Sequence, residues 1–287
     1  MSKDKKVQVS IIVPTYNRGY CIAETIYSVS RQTFEHYELL VVDDGSTDQT
    51  EKVVNNFPEV RYFRLPENLG VSHARNFGVS KSIGRYLCFL DSDDLWVPEK
   101  LQRQMDYMES QSGCNICYTD EVWVRNGIRV NPGKRHRKYS GDIFKHCLPL
   151  CIVSPSSAMI RAVVFKEKKI FDETMPACED YDLWLRLSLH HSFHFIDEKL
   201  VIKKGGHPDQ LSQKYWGMDR FRVYALEKLL RSDQLKGDNY KRTAETLIQK
   251  SRVLYQGFLK RNNRSRADYY HALMEKYKTD LSCLIST

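Results

Sequence analysis

Gln8-Val9-Ser10-Ile11-Ile12-Val13-Pro14 is a compact run dominated by β-branched residues, and it leads straight into the polar Thr15-Tyr16-Asn17-Arg18. An apolar run this short fits a strand buried on both faces, and such strands belong to parallel sheets covered by helices. The following residues keep that rhythm. Ile22, Ile26 and Val29 form one stripe of a helix over Cys21–Gln32. Glu38–Val42 is a second buried strand ending in Asp43-Asp44-Gly45, and Ser46 with Gln49 predicts a capping box that opens a helix through Phe57. Val60–Leu65, interrupted by Arg61 and Arg64, predicts a third strand near a sheet edge. Ser72–Ser82 predicts a helix, Arg85–Leu90 a fourth strand, and Pro98 the first turn of a helix through Met108. The alternation specifies an α/β fold, a mostly parallel sheet flanked by helices.

After about residue 115 the rhythm changes. Cys114-Asn115-Ile116-Cys117-Tyr118 reads as a buried strand, although its Cys-x-x-Cys spacing also allows zinc. Lys134–Lys138 reads as an exposed basic loop, Ser156–Val164 and Phe193–Ile196 as strands, and Glu179–His191 as a helix. Beyond Gly205-Gly206 the chain reads as helical, with stripes at Phe221, Ala225 and Leu229 and at Leu247, Leu254 and Phe258. The expected division is therefore 1–205, with halves 7–112 and 113–205, followed by a helical C-terminal extension over 206–287.

The 287 residues fit one large domain with a helical annex, and 41% hydrophobic with 28% charged content excludes a disordered or fibrous chain. No apolar run approaches the roughly 20 residues that span a bilayer. The charged Met1–Lys6 and the short apolar Val7–Val13 do not read as a signal peptide, so a cytoplasmic address is expected, with eight cysteines mostly reduced. The net charge of +8 is unevenly spread: 19 Lys/Arg stand against 9 Asp/Glu from Lys199 onward, but 25 against 27 before it. That basic third could face anionic head groups, an acidic acceptor or nucleic acid, or be a solvated helical face.

The polar clusters fall at the carboxyl ends of the strands, where open α/β sheets bind ligands. Asp91-Ser92-Asp93-Asp94 places three carboxylates within four residues, which suits a hard cation such as Mg2+ or Mn2+, while Asp94 could instead cap the next helix. Asp44 can accept hydrogen bonds from a base or ribose, Tyr16 offers a face for stacking, and Arg75 can reach a phosphate. A core aromatic and a surface salt bridge are the plainer readings of Tyr16 and Arg75. Glu179-Asp180 opens a helix, where carboxylates are favoured by the dipole and where a like-charged neighbour suits a general base.

Ser10–Arg18, Val41–Asp48, Asn68-Leu69-Gly70 with Ala74-Arg75-Asn76, Phe89–Asp94 and Glu179-Asp180 together resemble the ordered motifs of family 2 glycosyltransferases of the GT-A fold, a Rossmann-like architecture. The resemblance covers roughly residues 7–205. It implies an inverting transferase that uses a nucleotide-activated sugar, usually a UDP-sugar, with Mn2+ or Mg2+. Pro14, Tyr16 and Asp44 would contact the base, with Asp43, Thr15, Asn17 and Arg18 close by and Arg75 near the nucleotide. Asp91, with Ser92 beside it, and Asp93 would hold ribose and metal, and Asp94 remains a candidate ligand. Asp180 matches the catalytic base with Glu179 supporting it, and His207 stands in a segment that resembles one folding over the diphosphate in many relatives, where it would contact the metal or a phosphate, a plain loop histidine being the alternative.

Two rivals accompany that resemblance. A nucleotidyltransferase commonly carries a Gly-rich basic loop after its first strand, where this chain has Pro14-Thr15-Tyr16-Asn17. A non-catalytic nucleotide-sugar binding relative would have lost an acidic motif, and both motifs are intact. The expected acceptor is a saccharide or a lipid-linked saccharide of the cell envelope. Peripheral contact with the inner face of a membrane through the basic helices would accompany it. No nucleic-acid-binding fold is recognisable, and an oligomer is compatible with the sequence.

Overall fold

β1 (Val9–Thr15) is buried along its whole length and lies inside a nine-stranded sheet in the computed structural model, which describes residues 6–165, 170–206 and 214–285. Its side chains alternate between two cores, as a pleated strand requires. Ile11 and Val13 join one cluster with Ile22, Ile26 and Val29 of α1 (Ile22–Ser30) and with Leu101, Met105 and Met108 of α4 (Lys100–Ser110). Ile12 faces the opposite cluster, which contains Ala74 of α3 (Val71–Lys81). A Cβ added at Gly78 would lie 2.4 Å from Ile12 Cγ2, so glycine is what lets α3 settle this closely on the sheet.

The strand order is β3-β2-β1-β4-β8-β6-β9-β5, with β7 paired to β6. β2 (Tyr37–Asp43), β3 (Val60–Arg64) and β4 (Tyr86–Phe89) form the parallel part with β1, and β3 is its edge, as its interrupting arginines predict. Beyond β4 the sheet is mixed. β8 (Ala158–Arg161) runs antiparallel to β4 and to β6 (Ile116–Arg125), whereas β9 (Phe193–Gly205) is parallel to β6. β5 (Leu95–Trp96) pairs antiparallel with β9, and β7 (Ile128–Val130) returns on β6 through Asn126-Gly127. Both turn residues have positive φ, 49° and 77°, the geometry that suits a two-residue hairpin.

Several local expectations shift. The Ser46–Gln49 capping box does not form. Ser46 Oγ accepts the Asn17 N–H instead, and Asp48 Oδ1 accepts the Thr50 N–H at the start of a short α2 (Thr50–Val54). Pro155 begins a 3-10 turn that trims the predicted 156–164 strand to β8. Lys138 leaves the basic loop and turns inward, 3.3 Å from Glu121. Cys114 and Cys117 are buried as small apolar residues, Cys114 Sγ beside the Met108 sulfur and Cys117 Sγ accepting from Gln104, so the pair is core rather than a zinc clasp.

The second half adds α5 (Phe144–Cys147) and α6 (Glu179–Ser188), then α7 (Asp219–Leu230), α8 (Gly237–Leu259) and α9 (Arg264–Ile285). The predicted stripes are used. Ala225, Leu229, Leu247, Leu254 and Phe258 are buried in the cluster that also holds Ile12, Trp184 and Phe193. One apolar core therefore runs from the sheet into the C-terminal helices. Among the described residues no helix is long and apolar enough to cross a membrane.

Candidate active site

β1 and β2 end side by side, Thr15 opposite Asp43, and the chain turns away from both at the same rim. Pro14 and Thr15 are buried there, and Thr15 Oγ1 has no hydrogen-bond partner among the described residues. Asn17 adopts a left-handed φ of 53°, held by its N–H to Ser46 Oγ and by its Oδ1, which accepts the Thr47 N–H at 2.8 Å. The Arg18 N–H donates to Thr50 Oγ1. Tyr16 is left 41% exposed, which rules out a core aromatic and leaves a face open at the rim.

The two aspartates after β2 work inward. Asp43 is fully buried, accepting the Ser46 N–H at 2.8 Å and the Tyr62 hydroxyl at 2.6 Å. Asp44 receives the amides of Leu69 and Gly70, at 2.9 and 2.8 Å, through its two oxygens and so pins the Asn68-Leu69-Gly70 loop. Burial raises the pKa of its carboxyl, and the two amides offset only part of that. The left-handed φ of 97° at Gly70 starts α3, which carries Arg75 and Asn76.

Arg75 joins the two acidic motifs. Its Nη2 donates to Asp91 Oδ1 at 2.7 Å and its Nη1 to Glu179 Oε1 at 2.5 Å, while the guanidinium lies 5.0 Å from the Phe171 ring centre. It is buried, and the two carboxylates hold it firmly protonated against that burial. A guanidinium so engaged bridges carboxylates here rather than reaching outward to a phosphate. Asn76 fastens the segment that leads to Glu179: its Oδ1 accepts the amides of Ile170 and Phe171, and its Nδ2 donates to the Phe171 carbonyl and Glu173.

The aspartate cluster divides its labour. Burial would raise the Asp91 pKa, but Arg75 and Lys203 outweigh it and hold the carboxyl below its ordinary value. Ser92 is buried and its carbonyl accepts the Thr25 hydroxyl. Asp94 is buried, with Oδ2 taking the Ser156 hydroxyl at 2.7 Å and Oδ1 the Lys204 N–H at 3.1 Å. Burial pushes its carboxyl well up, with Asp91 and Asp93 adding to that and Lys203 opposing. Asp93 is half-buried, close enough to add to the burial effect that raises the Tyr20 and Cys21 pKa values.

Among the described residues no group of three or more His, Cys, Asp or Glu side chains is arranged to hold a metal ion. Of the three aspartates expected at this position, Asp91 is engaged by Arg75 and Asp94 by the Ser156 hydroxyl. A hard ion that keeps waters and takes phosphate oxygens needs only one or two carboxylates. Half-buried Asp93, with the 28%-exposed Asp91 side chain, fits that need. His207 lies outside the described residues.

The Glu179-Asp180 pair begins α6 directly behind Cys178, a non-glycine residue held at φ 60°. Such strain persists where surrounding structure fixes it. Glu179 is buried, and burial raises its pKa, with Asp180 adding and Arg75 opposing. Asp180 is half-buried, and its Oδ2 accepts the Cys151 thiol at 3.3 Å. Sequence reading missed Cys151, Ser156, Glu121 and Lys203. Lys203 Nζ lies 3.9 Å from Asp91 and 3.8 Å from Asp94, and Glu121 and Asp180 also help keep it charged. A signal existed, since Lys203 shares a strand face with buried Val201.

The sequence profile of glycosyl transferase family 2 matches residues 10–168. An uncharacterized glycosyltransferase of Rickettsia typhi is 30% identical over 207 residues, covering 70% of this chain and 65% of that protein. The Escherichia coli protein WfaP, described as a UDP-Glc:alpha-D-GlcNAc-diphosphoundecaprenol beta-1,3-glucosyltransferase, is 30% identical over 186 residues, covering 62% and 69%. S. aureus TarS (residues 1–349), crystallised with UDP-GlcNAc, superposes with a TM-score of 0.65 at 21% identity, covering 96% of this chain and 92% of that one. The matched segments span between about a third and two thirds of several Rickettsia relatives, from 31% to 65% of their length.

Proposed function

This chain belongs to glycosyl transferase family 2, and from that premise we propose that it transfers a sugar from a UDP-sugar to a hydroxyl of a saccharide or lipid-linked acceptor, inverting the anomeric centre. The observation that carries the proposal is the Arg75 bridge. It brings Asp91, from the end of β4, within one guanidinium of Glu179 at the start of α6, beside Asp180. A donor-side carboxylate and a candidate base thereby meet at one rim.

In this mechanism Tyr16 stacks on the uracil, and Asp44, with Pro14, Thr15, Asn17 and Arg18, shapes the base and ribose site. Asp91 and Asp93 would hold a divalent ion, which when bound draws charge from the departing diphosphate. Asp180 takes the proton of the acceptor hydroxyl. The hydroxyl oxygen bonds to the anomeric carbon as the bond to the diphosphate breaks on the opposite face. Charge at that carbon is oxocarbenium-like, as in glycoside hydrolysis. Glu179 positions Asp180 by anchoring the first turn of α6 to Arg75.

The nucleotide-sugar half is 7–112, the acceptor half 113–205, and the C-terminal helices complete the acceptor side. The name of WfaP, with its diphosphoundecaprenol-linked acceptor, supports a lipid-linked saccharide acceptor. The basic balance after residue 199 supports peripheral contact with anionic lipid. Asp180→Asn is the test. It should retain UDP and donor-sugar binding by calorimetry and lose transfer by about 1000-fold, as expected when a general base is removed. Transfer at the wild-type rate would remove Asp180 from its role.

A further inference from the structure

Among the described residues Arg75 and Lys203 pair with the carboxylates of the acidic rim, and they are held very differently. Arg75 is only 4% exposed at its side chain and makes two short charge-assisted contacts, so it is a fixed part of the scaffold. Lys203 is 34% exposed at its side chain and stands 3.9 Å from Asp91 Oδ2 and 3.8 Å from Asp94 Oδ2. Those distances are ion pairing without a hydrogen bond. Of the two, Lys203 is the cation that can be exchanged. It also shares Asp91 with the position proposed for a divalent ion, so the ammonium and the ion draw on the same negative charge.

We propose that Lys203 is the resident counter-cation of the donor pocket, so that a divalent ion enters strongly only together with a nucleoside diphosphate, whose phosphates then accept the ammonium. The inference rests on the transferase reading of this rim and adds a coupling to it. Without the diphosphate, the ion must compete with Lys203 for Asp91. With it, two phosphate groups bring enough negative charge for both cations. Lys203 is then a positioning residue for the donor. The coupling is reciprocal: the ion must tighten nucleotide binding by the same factor.

The test measures Mn2+ binding to the full chain by electron paramagnetic resonance of the free ion, with and without UDP, corrected for the Mn2+–UDP complex. In wild type, UDP should tighten Mn2+ binding by about tenfold or more. Lys203→Met should bind Mn2+ alone about tenfold more tightly than wild type, with the UDP effect reduced to roughly threefold or less. Lys203→Arg should keep the wild-type pattern. Should Lys203→Met fold poorly with Asp94 left uncompensated, the same comparison is made between Asp94→Asn and Asp94→Asn/Lys203→Met, where the lysine change should again raise Mn2+ affinity. Unaltered Mn2+ affinity on removing Lys203 would overturn the proposal. So would wild-type protein that binds UDP but holds Mn2+ equally well with and without it. Failure to bind UDP at all would instead sink the transferase reading beneath it.

Discussion

Replacing Arg75 with Met removes the cation from between two acidic groups that the fold has already desolvated. Taking one partner from a buried ion pair costs about 3–5 kcal/mol, because the other charge remains without compensation. Here two partners are orphaned, but unequally. The Asp91 side chain is 28% exposed and keeps Lys203 at 3.9 Å, whereas the Glu179 side chain is 7% exposed and has Asp180 as its neighbour. Glu179 therefore dominates, and the expected loss is about 4 kcal/mol, or a Tm lowered by roughly 8–16 °C for a chain of this length. Adding Glu179→Gln to Arg75→Met should recover about 2 kcal/mol, since it removes the worse orphan. Urea unfolding followed by tryptophan fluorescence is a suitable assay, with Trp184 on α6 two turns or less from the bridge. A loss under about 1 kcal/mol, or no recovery in the double variant, would refute a buried bridging role for Arg75.

Two further changes probe what holds this rim in place. Burial alone would raise the Glu121 carboxyl, but Lys138 and Lys203 together hold it at about 2, below the ordinary 4.5. Its contribution is thus present above pH 4.5 and fades as the pH falls toward 2. Glu121→Gln should cost about 3 kcal/mol at pH 7, with the gap to wild type narrowing in acid; a gap that stays constant in denaturant titrations from pH 6 to 3 would contradict this. Gly78→Ala should destabilise by about 1–3 kcal/mol despite alanine's better helix propensity, because its Cβ meets Ile12 Cγ2. Calorimetric scanning that finds the variant more stable than wild type would mean that α3 sits less tightly on β1 than described.

The first hundred residues were legible because each strand there is a compact apolar run and each connection is a helix. β1, β2, β3 and β4 appear close to where their residues predict them. The later strands were harder. β8 is only four residues long, and in β9 the charged Asp197-Glu198-Lys199 interrupts the apolar pattern between Phe193–Ile196 and Leu200-Val201-Ile202, so the sequence shows two short runs where the structure has one strand. Asn126-Gly127 was an unused hairpin signal. At the rim, residue types announced acidity but not allegiance. Nothing local reveals that Arg75 answers to a carboxylate 104 positions away, or that Ser156 closes off Asp94. The second pairing follows from sheet order, which brings β8 against β4, and the first from Asn76, which ties the segment leading to α6 onto α3.

Arg75 and Asp91 lie 16 positions apart, whereas Glu179 is 104 from Arg75. During synthesis the first two can meet as soon as β4 has formed, yet the third ligand of that bridge must wait for almost ninety more residues to emerge. Until then Arg75 holds only one of its two carboxylates, Lys203 has not yet joined Asp91 and Asp94, and the candidate base is absent. With Asp180 as the base proposed above, a ribosome-bound fragment ending before α6 lacks both the carboxylate that closes the bridge and the residue that would take the acceptor's proton.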